Sequence, residues 1–203
     1  MLRLLIAGPP GVGKGTQSAI LAAGLQVPAI STGDMFRALP ASHGDLAEEV
    51  QAVMAAGRYV DDDLTNRVVA ERLLRDDCAS GFLLDGYPRT LPQLDFLHRW
   101  LAERGLAIDA VIALEADEEV AARRMAARAA LDGRPDDTVE TFRVRLQVYA
   151  EQTRPLLEVY EEIELLRRVD GSGSVDDVAE RVWAAVHPRS RVEPTAGLEA
   201  ATP

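Results

Sequence analysis

The stretch that decides the fold is Gly8-Pro-Pro-Gly-Val-Gly-Lys-Gly-Thr-Gln17. It follows an apolar run, Leu2 to Ala7, that predicts a short buried strand, and it leads into 16–25, whose apolar residues share one helix face. A strand, a glycine-rich turn and a helix form the context that a phosphate-binding loop requires, although Gly15 here separates Lys14 from Thr16. Glycines let backbone amides crowd around phosphate oxygens, and a helix N-terminus adds donors and partial positive charge. The stretch therefore predicts a phosphate-binding loop rather than an ordinary turn.

Lys14 is the only lysine in the chain, and the other strongly basic side chains are all arginines. A general preference for arginine accounts for part of this pattern. The remaining lysine is still informative, because the broad guanidinium of arginine cannot replace a compact ammonium in a tight phosphate cradle. We therefore expect Lys14 to reach the transferred phosphate.

Length, charge and cysteine content narrow the class of protein. At 203 residues the chain predicts one domain with a substantial core. A net charge of −11 argues against general nucleic-acid or membrane-surface binding, so an anionic substrate must be met by a local cluster of arginines. The single cysteine, Cys78, excludes an internal disulfide and a multi-cysteine zinc site. No apolar run approaches the roughly 18 residues of a membrane span, and no signal-peptide pattern precedes the loop, so we expect a cytoplasmic protein.

Apolar runs that predict strands alternate with segments that predict helices. The predicted strands are 2–7, 27–30, 81–85, 107–114 and 165–169, and the predicted helices are about 16–25, 46–56, 64–75, 90–103, 117–130, 138 onward, 155–164 and 175–186. In open α/β sheets, ligands bind beyond the carboxyl ends of the strands. This rule predicts that the phosphate loop, Thr32 to Arg37, and Asp85 to Arg89 lie along one rim.

Two groups of charged residues have competing interpretations. Asp61 to Asp63 open a predicted helix, and stabilisation of the helix N-terminus explains three acids there more simply than a metal site does. Arg124 and Arg128 are four residues apart and share a helix face, while Arg123 offers a competing register. Arg143 and Arg145 lie roughly 200° apart around a helix, so at most one of them should face the rim.

Four motifs stand in order along the chain: the loop 8–17, Ser31-Thr-Gly-Asp-Met-Phe-Arg37, Asp85-Gly-Tyr-Pro-Arg-Thr-Leu-Pro-Gln93, and Gly133-Arg-Pro-Asp-Asp137 with Arg145 beyond it. With these motifs, and with its lysine-glycine-threonine order, the chain resembles the adenylate kinases, which are P-loop nucleoside monophosphate kinases. The resemblance covers about residues 1–187.

The resemblance implies a single P-loop kinase domain over 1–187. Its fold would be a three-layer α/β/α arrangement with a five-stranded parallel sheet. It would carry a helical monophosphate-binding insert at about 31–60 and a short lid at about 127–137. Residues 188–203 are rich in Pro, Ala and Thr, and this composition predicts a disordered tail.

The resemblance also implies a role for each matching residue. The phosphoryl group would be handled by Lys14, Arg89, Arg128, Arg134 and Arg145. ATP would be bound by Gly11, Val12, Gly13, Lys14, Gly15, Thr16, Arg124, Arg128 and Gly173. AMP would be bound by Thr32, Arg37, the Arg58-Tyr59-Val60 backbone, Gly86, Tyr87, Pro88, Arg89, Gln93, Arg134 and Arg145. Asp85 and Asp34 would hold waters of a magnesium ion.

The implied reaction is reversible transfer of the ATP γ-phosphoryl group to AMP, giving two ADP. The expected partners are ATP, AMP, ADP and Mg²⁺, without nucleic acid or membrane, and the expected state is a monomer. No zinc is expected, since the longer lid that sometimes bears it is absent. Two departures stand in the insert: Asp61 replaces the usual Pro or Thr, and the 39–47 loop is unusual.

Three other functions compete with this one. A kinase for UMP, CMP or GMP would share the fold, but Thr32 and Gln93 favour AMP over UMP or CMP. A guanine-specific GTPase is rejected, because its Asn-Lys-x-Asp motif needs a second lysine. A non-catalytic nucleotide sensor is disfavoured by the presence of Lys14 and Asp85.

Overall fold

The structure is a computed structural model that describes residues 1–39, 45–132 and 138–187, without the side chains of 128–132. Three of the regions predicted above therefore fall wholly or partly outside it. These are the centre of the unusual 39–47 loop, the 133–137 end of the lid, and the 188–203 tail.

The sheet has five parallel strands in the order β2-β3-β1-β4-β5. They are β1 Leu2–Ala7, β2 Ala29–Ser31, β3 Gly81–Asp85, β4 Ala110–Glu115 and β5 Leu166–Asp170. The register places Asp85 beside Ile6 on one side and Ser31 on the other. This confirms the predicted five-stranded parallel sheet and brings the strand ends of the phosphate loop and the Asp85 motif to one edge.

Helices lie on both faces of the sheet. They are α1 Lys14–Leu25, α2 Thr32–Arg37, α3 Asp45–Ala55, α4 Asp62–Leu73, α5 Leu91–Ala102, α6 Glu118–Asp132, α7 Val139–Val148, α8 Arg154–Glu162 and α9 Val175–Val186. Most predicted bounds differ from these by one to three residues at either end. Helix α6 runs through 127–132, so the first part of the predicted lid belongs to that helix.

Alternation along the strands fills a core on each face of the sheet. On one face Leu5 and Leu84 pack with residues of α4, α5 and α8. On the other face Leu4, Ile6 and Leu83 pack with residues of α1 and α9. Because β3 and β4 are covered on both sides, they read as nearly continuous apolar runs, which is typical of a parallel sheet, whereas the edge strand β5 carries two arginines.

Asp61 and Asp62 show what the acidic start of α4 does. The Asp61 carboxylate accepts a hydrogen bond from the Leu64 amide at 3.0 Å and so caps the helix. The Asp62 carboxylate instead accepts from Thr90 Oγ1 at 2.9 Å and from Gln93 Nε2 at 2.6 Å. The helix-start interpretation is confirmed at Asp61, which supplies the N-cap of α4 at the position where the family usually has Pro or Thr.

The sequence predicted that the chain continues helical from 138 into 155–164, but it did not predict how the two helices connect. A π-helical turn over Tyr149–Thr153 joins α7 and α8. Such turns are rare in proteins as a whole, but those that occur are often at functional sites.

Within the described part of the chain, no helix is both long enough and apolar enough to cross a membrane.

Candidate active site

The phosphate loop leaves β1 with three glycines, Gly8, Gly11 and Gly13, at positive φ. At Gly11 the requirement is strict, because a Cβ there would collide with the backbone carbonyl of Ala121 in α6. The loop therefore passes directly against α6 before α1 begins at Lys14. The predicted strand, turn and helix are all present.

The Lys14 side chain folds back over the loop. Its Nζ donates to the carbonyl oxygens of Gly8 at 2.7 Å and Pro9 at 2.9 Å. These bonds fix the ammonium at the mouth of the loop, where it acts electrostatically on the Asp85 carboxylate. One cation is thus held between the loop and the end of β3.

A cleft of about 920 Å³ opens beyond the carboxyl ends of the strands. The predicted site residues that line it are Gly11, Val12, Gly13, Lys14, Gly15, Thr16, Asp34, Arg37, Arg58, Tyr59, Asp85, Gly86, Pro88, Arg89, Arg124, Arg145 and Gly173. A smaller space of about 30 Å³ is lined by Thr32, Val60 and Gln93 together with Gly86 and Arg89. The structure therefore brings these predicted residues together, while their roles toward a nucleotide stay predictions.

The structure shows which arginine of each competing pair faces the cleft. Arg124 lines the cleft, whereas the neighbouring Arg123 is 70 % exposed and lies 3.7 Å from Glu119. Arg145 lines the cleft and Arg143 is exposed. In both pairs the residue with the predicted role is the one at the cleft.

Within the described part of the chain, the hydrogen bonds of Arg124 run to backbone carbonyl oxygens. Its Nη1 donates to the carbonyl oxygens of Val12 at 3.0 Å and Gly171 at 2.8 Å, and its Nη2 donates to that of Gly173 at 3.0 Å. Arg181 holds the same turn through the Ser172 carbonyl and through Asp170, at 2.9 Å. The turn after β5 is therefore fixed against the phosphate loop.

Two carboxylates face the cleft between the phosphate loop and α2. Asp85 ends β3, and burial raises the pKa of its carboxyl, while the charges of Lys14 and Arg89 oppose that rise. Asp34 lies in α2, where its Oδ1 is 2.6 Å from Arg37 Nη2. The negative charge of Asp34 also raises the pKa of Asp85, so the two carboxylates interact electrostatically. Oxygen ligands of this kind suit Mg²⁺, which keeps most of its waters and needs one or two carboxylates.

Residues predicted to bind AMP are tied into the fold by their side chains. Thr32 Oγ1 donates to the Gly86 carbonyl at 2.8 Å. Tyr87, by contrast, lines neither space, because it is 1 % exposed and its hydroxyl donates to Asn66 Oδ1 at 2.6 Å. Gln93 is buried, accepts from the Arg89 amide at 2.8 Å and donates to Asp62. These contacts fix the walls of the smaller space.

Residues at the site that were not predicted include Asp62, Tyr149 and Thr153. Asp62 orients Gln93 and Thr90, while Tyr149 and Thr153 line the cleft from the π-helical turn. Asp62 carried a signal, since an acid in the first turn of a helix can bind a neighbouring element as well as stabilise the helix end. The two residues of the turn carried none, because a π-helical turn has no characteristic local sequence pattern.

Some of the predicted site cannot be placed. Arg134 and the side chain of Arg128 lie outside the described residues. Among the residues that are described, no three His, Cys, Asp or Glu side chains come together as a potential metal cage.

Comparison with known proteins gives one consistent family. The adenylate kinase family model matches residues 6–165. An adenylate kinase of Clavibacter michiganensis subsp. michiganensis is 51 % identical over 92 % of this chain and 93 % of its own length. Adenylate kinases of Thermobifida fusca and Leifsonia xyli subsp. xyli are 46 % and 50 % identical, over 93 % and 92 % of this chain and 100 % and 94 % of their own lengths. The chain is therefore an enzyme of the adenylate kinase family.

Proposed function

We propose that this enzyme catalyses reversible, Mg²⁺-dependent transfer of the ATP γ-phosphoryl group to AMP, giving two ADP. The observation that carries the proposal is the cleft of about 920 Å³, which is lined both by the phosphate loop and by Arg37 and Arg89. A kinase that transfers a phosphoryl group from one nucleotide to another needs a cluster of positive charges between the two phosphate sites. The names of the relatives support adenine nucleotides on both sides.

The residues present suit an in-line transfer. Such a reaction needs positioned oxygens and positive charge, and it needs no covalent nucleophile from the protein. Lys14 stands at the loop, Arg89 at the end of the Asp85 motif and Arg145 on α7, and all three line the cleft. Arg128 and Arg134 are assigned to the same task on the resemblance alone.

Asp85 and Asp34 are the residues that would hold Mg²⁺ through its waters. Both line the cleft, and both carry oxygens, which a hard cation prefers. The ion, when bound, would neutralise charge on the phosphates. Arg37 pairs with Asp34 at 2.6 Å and so limits where that carboxylate can point.

The bases would be recognised at opposite ends of the cleft. On the ATP side, Arg124 and Arg181 fix the turn that carries Gly173, whose backbone is the proposed contact for adenine. On the AMP side, Thr32 and Gln93 line the small space and are held by Gly86 and Asp62. The short lid would exclude water, which would otherwise accept the phosphoryl group.

We infer a role in adenine nucleotide homeostasis for a monomer in the cytoplasm that has neither nucleic acid nor membrane as a partner. The net charge of −11 supports the last part, because such a surface repels polyanions and anionic lipid.

The test is a phosphoryl-transfer assay with ATP and each of AMP, CMP, UMP and GMP, with and without Mg²⁺. We expect Mg²⁺-dependent ADP formation with AMP and little transfer to the other acceptors. Preferred transfer to another monophosphate would move the specificity while keeping the reaction. ATP binding without transfer to any acceptor would contradict the proposal and favour a nucleotide sensor.

A further inference from the structure

Tyr59 lies in the short segment between α3 and α4, and its side chain reaches into the cleft beside Arg89. We propose that Tyr59 is a positioning residue that holds the Arg89 guanidinium ready for the phosphate of the acceptor nucleotide. The inference rests on the function proposed above and assigns a task to this side chain, where the resemblance assigned one only to its backbone.

The first contact is between the ring and the charge. Arg89 Cζ lies 4.8 Å from the centroid of the Tyr59 ring, within the range of a cation–π interaction. The ring offers the guanidinium an attractive face without taking up its hydrogen-bond donors. The N–H groups therefore stay available for phosphate oxygens.

The second contact runs from the Tyr59 hydroxyl to the Arg89 backbone through Thr153. Thr153 Oγ1 donates to the Arg89 carbonyl at 3.0 Å and lies 2.9 Å from the Tyr59 hydroxyl. A threonine hydroxyl has one hydrogen, which the Arg89 carbonyl takes, so the Tyr59 hydroxyl is the donor to Thr153. Both hydrogen bonds therefore have a fixed direction, from Tyr59 to Thr153 and from Thr153 to Arg89. Thr153 is buried, which protects both bonds from water.

Other contacts restrict Arg89 as well. Its amide donates to Gln93 Oε1 at 2.8 Å. Its guanidinium packs so closely on Gly86 that a Cβ there would come within 2.5 Å of Nη2. With Tyr59 in place, the backbone of Arg89 is held at both its amide and its carbonyl, and its charged end is held at the ring.

A restrained arginine loses less freedom when it binds phosphate, so restraint before binding increases affinity. The loss of Tyr59 should therefore weaken the acceptor and leave the donor unaffected. Cation–π contacts of this kind correspond to about a threefold to tenfold change in affinity.

The experiment measures KM for AMP at saturating ATP, and KM for ATP at saturating AMP, in Tyr59→Leu and Tyr59→Phe. We expect Tyr59→Leu to raise KM for AMP about threefold to tenfold and to change KM for ATP less than twofold. Tyr59→Phe keeps the ring and should recover most of the loss. Calorimetric binding of AMP without ATP should show the same order of affinities.

Two double variants test the route of the effect. Thr153→Val breaks the hydroxyl chain, so adding Tyr59→Phe to it should have no further effect on KM for AMP. Arg89→Ala removes the group that Tyr59 positions, so adding Tyr59→Leu to it should also change nothing. Additive effects in both pairs would overturn the proposal, because they would show that Tyr59 acts independently of Arg89.

Trp100→Leu is the matched control, since Arg104, just beyond the end of α5, lies 3.9 Å from the Trp100 ring in a second arginine–aromatic contact. It should leave both KM values unchanged, and thermal unfolding would separate lost stability from lost affinity. An active wild type with an unchanged KM for AMP in Tyr59→Leu would overturn only this inference. A wild type that does not phosphorylate AMP would instead contradict the proposed function.

Discussion

Arg124 in α6 donates a hydrogen bond to the Val12 carbonyl of the phosphate loop, across 3.0 Å. The same guanidinium donates to Gly171 and Gly173, which follow β5. One side chain therefore sets the distance between the loop and the turn proposed to meet adenine. An arginine can do this because its fork carries several N–H donors in a fixed plane.

We predict that Arg124→Ala raises KM for ATP by about tenfold or more, since charged hydrogen bonds contribute about 1.5–3 kcal/mol each. KM for AMP should change much less. Arg123→Ala is the control, because Arg123 is largely exposed and contacts only Glu119 among the described pairs. Steady-state kinetics with each substrate varied in turn would check this. A similar rise in KM for ATP in both variants would contradict a specific role of Arg124 in holding the ATP side of the cleft.

Lys14 provides the second prediction. Its Nζ is held by the Gly8 and Pro9 carbonyls, so it needs little reorganisation to meet a phosphate. We expect Lys14→Ala to lower kcat by about 10²- to 10³-fold, by analogy with the loss of one preorganised donor. The unfolding temperature should stay close to that of the wild type, and turnover near the wild-type rate would contradict the role. Lys14→Arg should also be impaired, because a broad guanidinium does not fit the place of an ammonium.

The sequence predicted the features that depend on neighbouring residues. The phosphate loop, the apolar strands and the helix starts each lie within about ten residues, where spacing and capping follow local rules. The choice of Arg124 over Arg123 was already favoured by its four-residue spacing from Arg128. The rule that ligands bind beyond the carboxyl ends of parallel strands then predicted the shared rim, and the family resemblance added the five-stranded parallel sheet, which the structure confirms.

The contacts that hold the site in place were not predictable in this way. Asp62 bonds Gln93 from 31 residues away, and Thr153 bonds Arg89 from 64 residues away. No spacing rule connects such positions, because their meeting depends on how whole helices pack. The Tyr59 hydroxyl belongs to the same class, since it finds Thr153 only through the π-helical turn.

Gly11 and Gly105 allow a matched test of the loop. Both have positive φ, but a Cβ at Gly11 would strike the Ala121 carbonyl, whereas one at Gly105 would meet nothing within 4 Å. We expect Gly105→Ala to lower the free energy of unfolding by about 1–2 kcal/mol from backbone strain alone. Gly11→Ala should cost roughly 1–3 kcal/mol more, through overpacking, and should weaken ATP binding. Urea unfolding with ATP titration would show it, and equal costs at both sites would argue against close packing of the loop on α6.

His98 gives a pH-dependent prediction away from the cleft. Its Nε2 lies 3.3 Å from the Tyr160 hydroxyl, and burial lowers its pKa below 6.5, with Asp95 opposing that shift. The unfolded chain then takes up a proton at a higher pH than the folded chain does. This part of the stability is present above about pH 6.5 and is lost as pH falls through the lower folded value. His98→Gln removes it, so urea midpoints at pH 7.5 and 5.5 should fall less in the variant than in the wild type. Equal falls would show that His98 does not titrate as its burial requires.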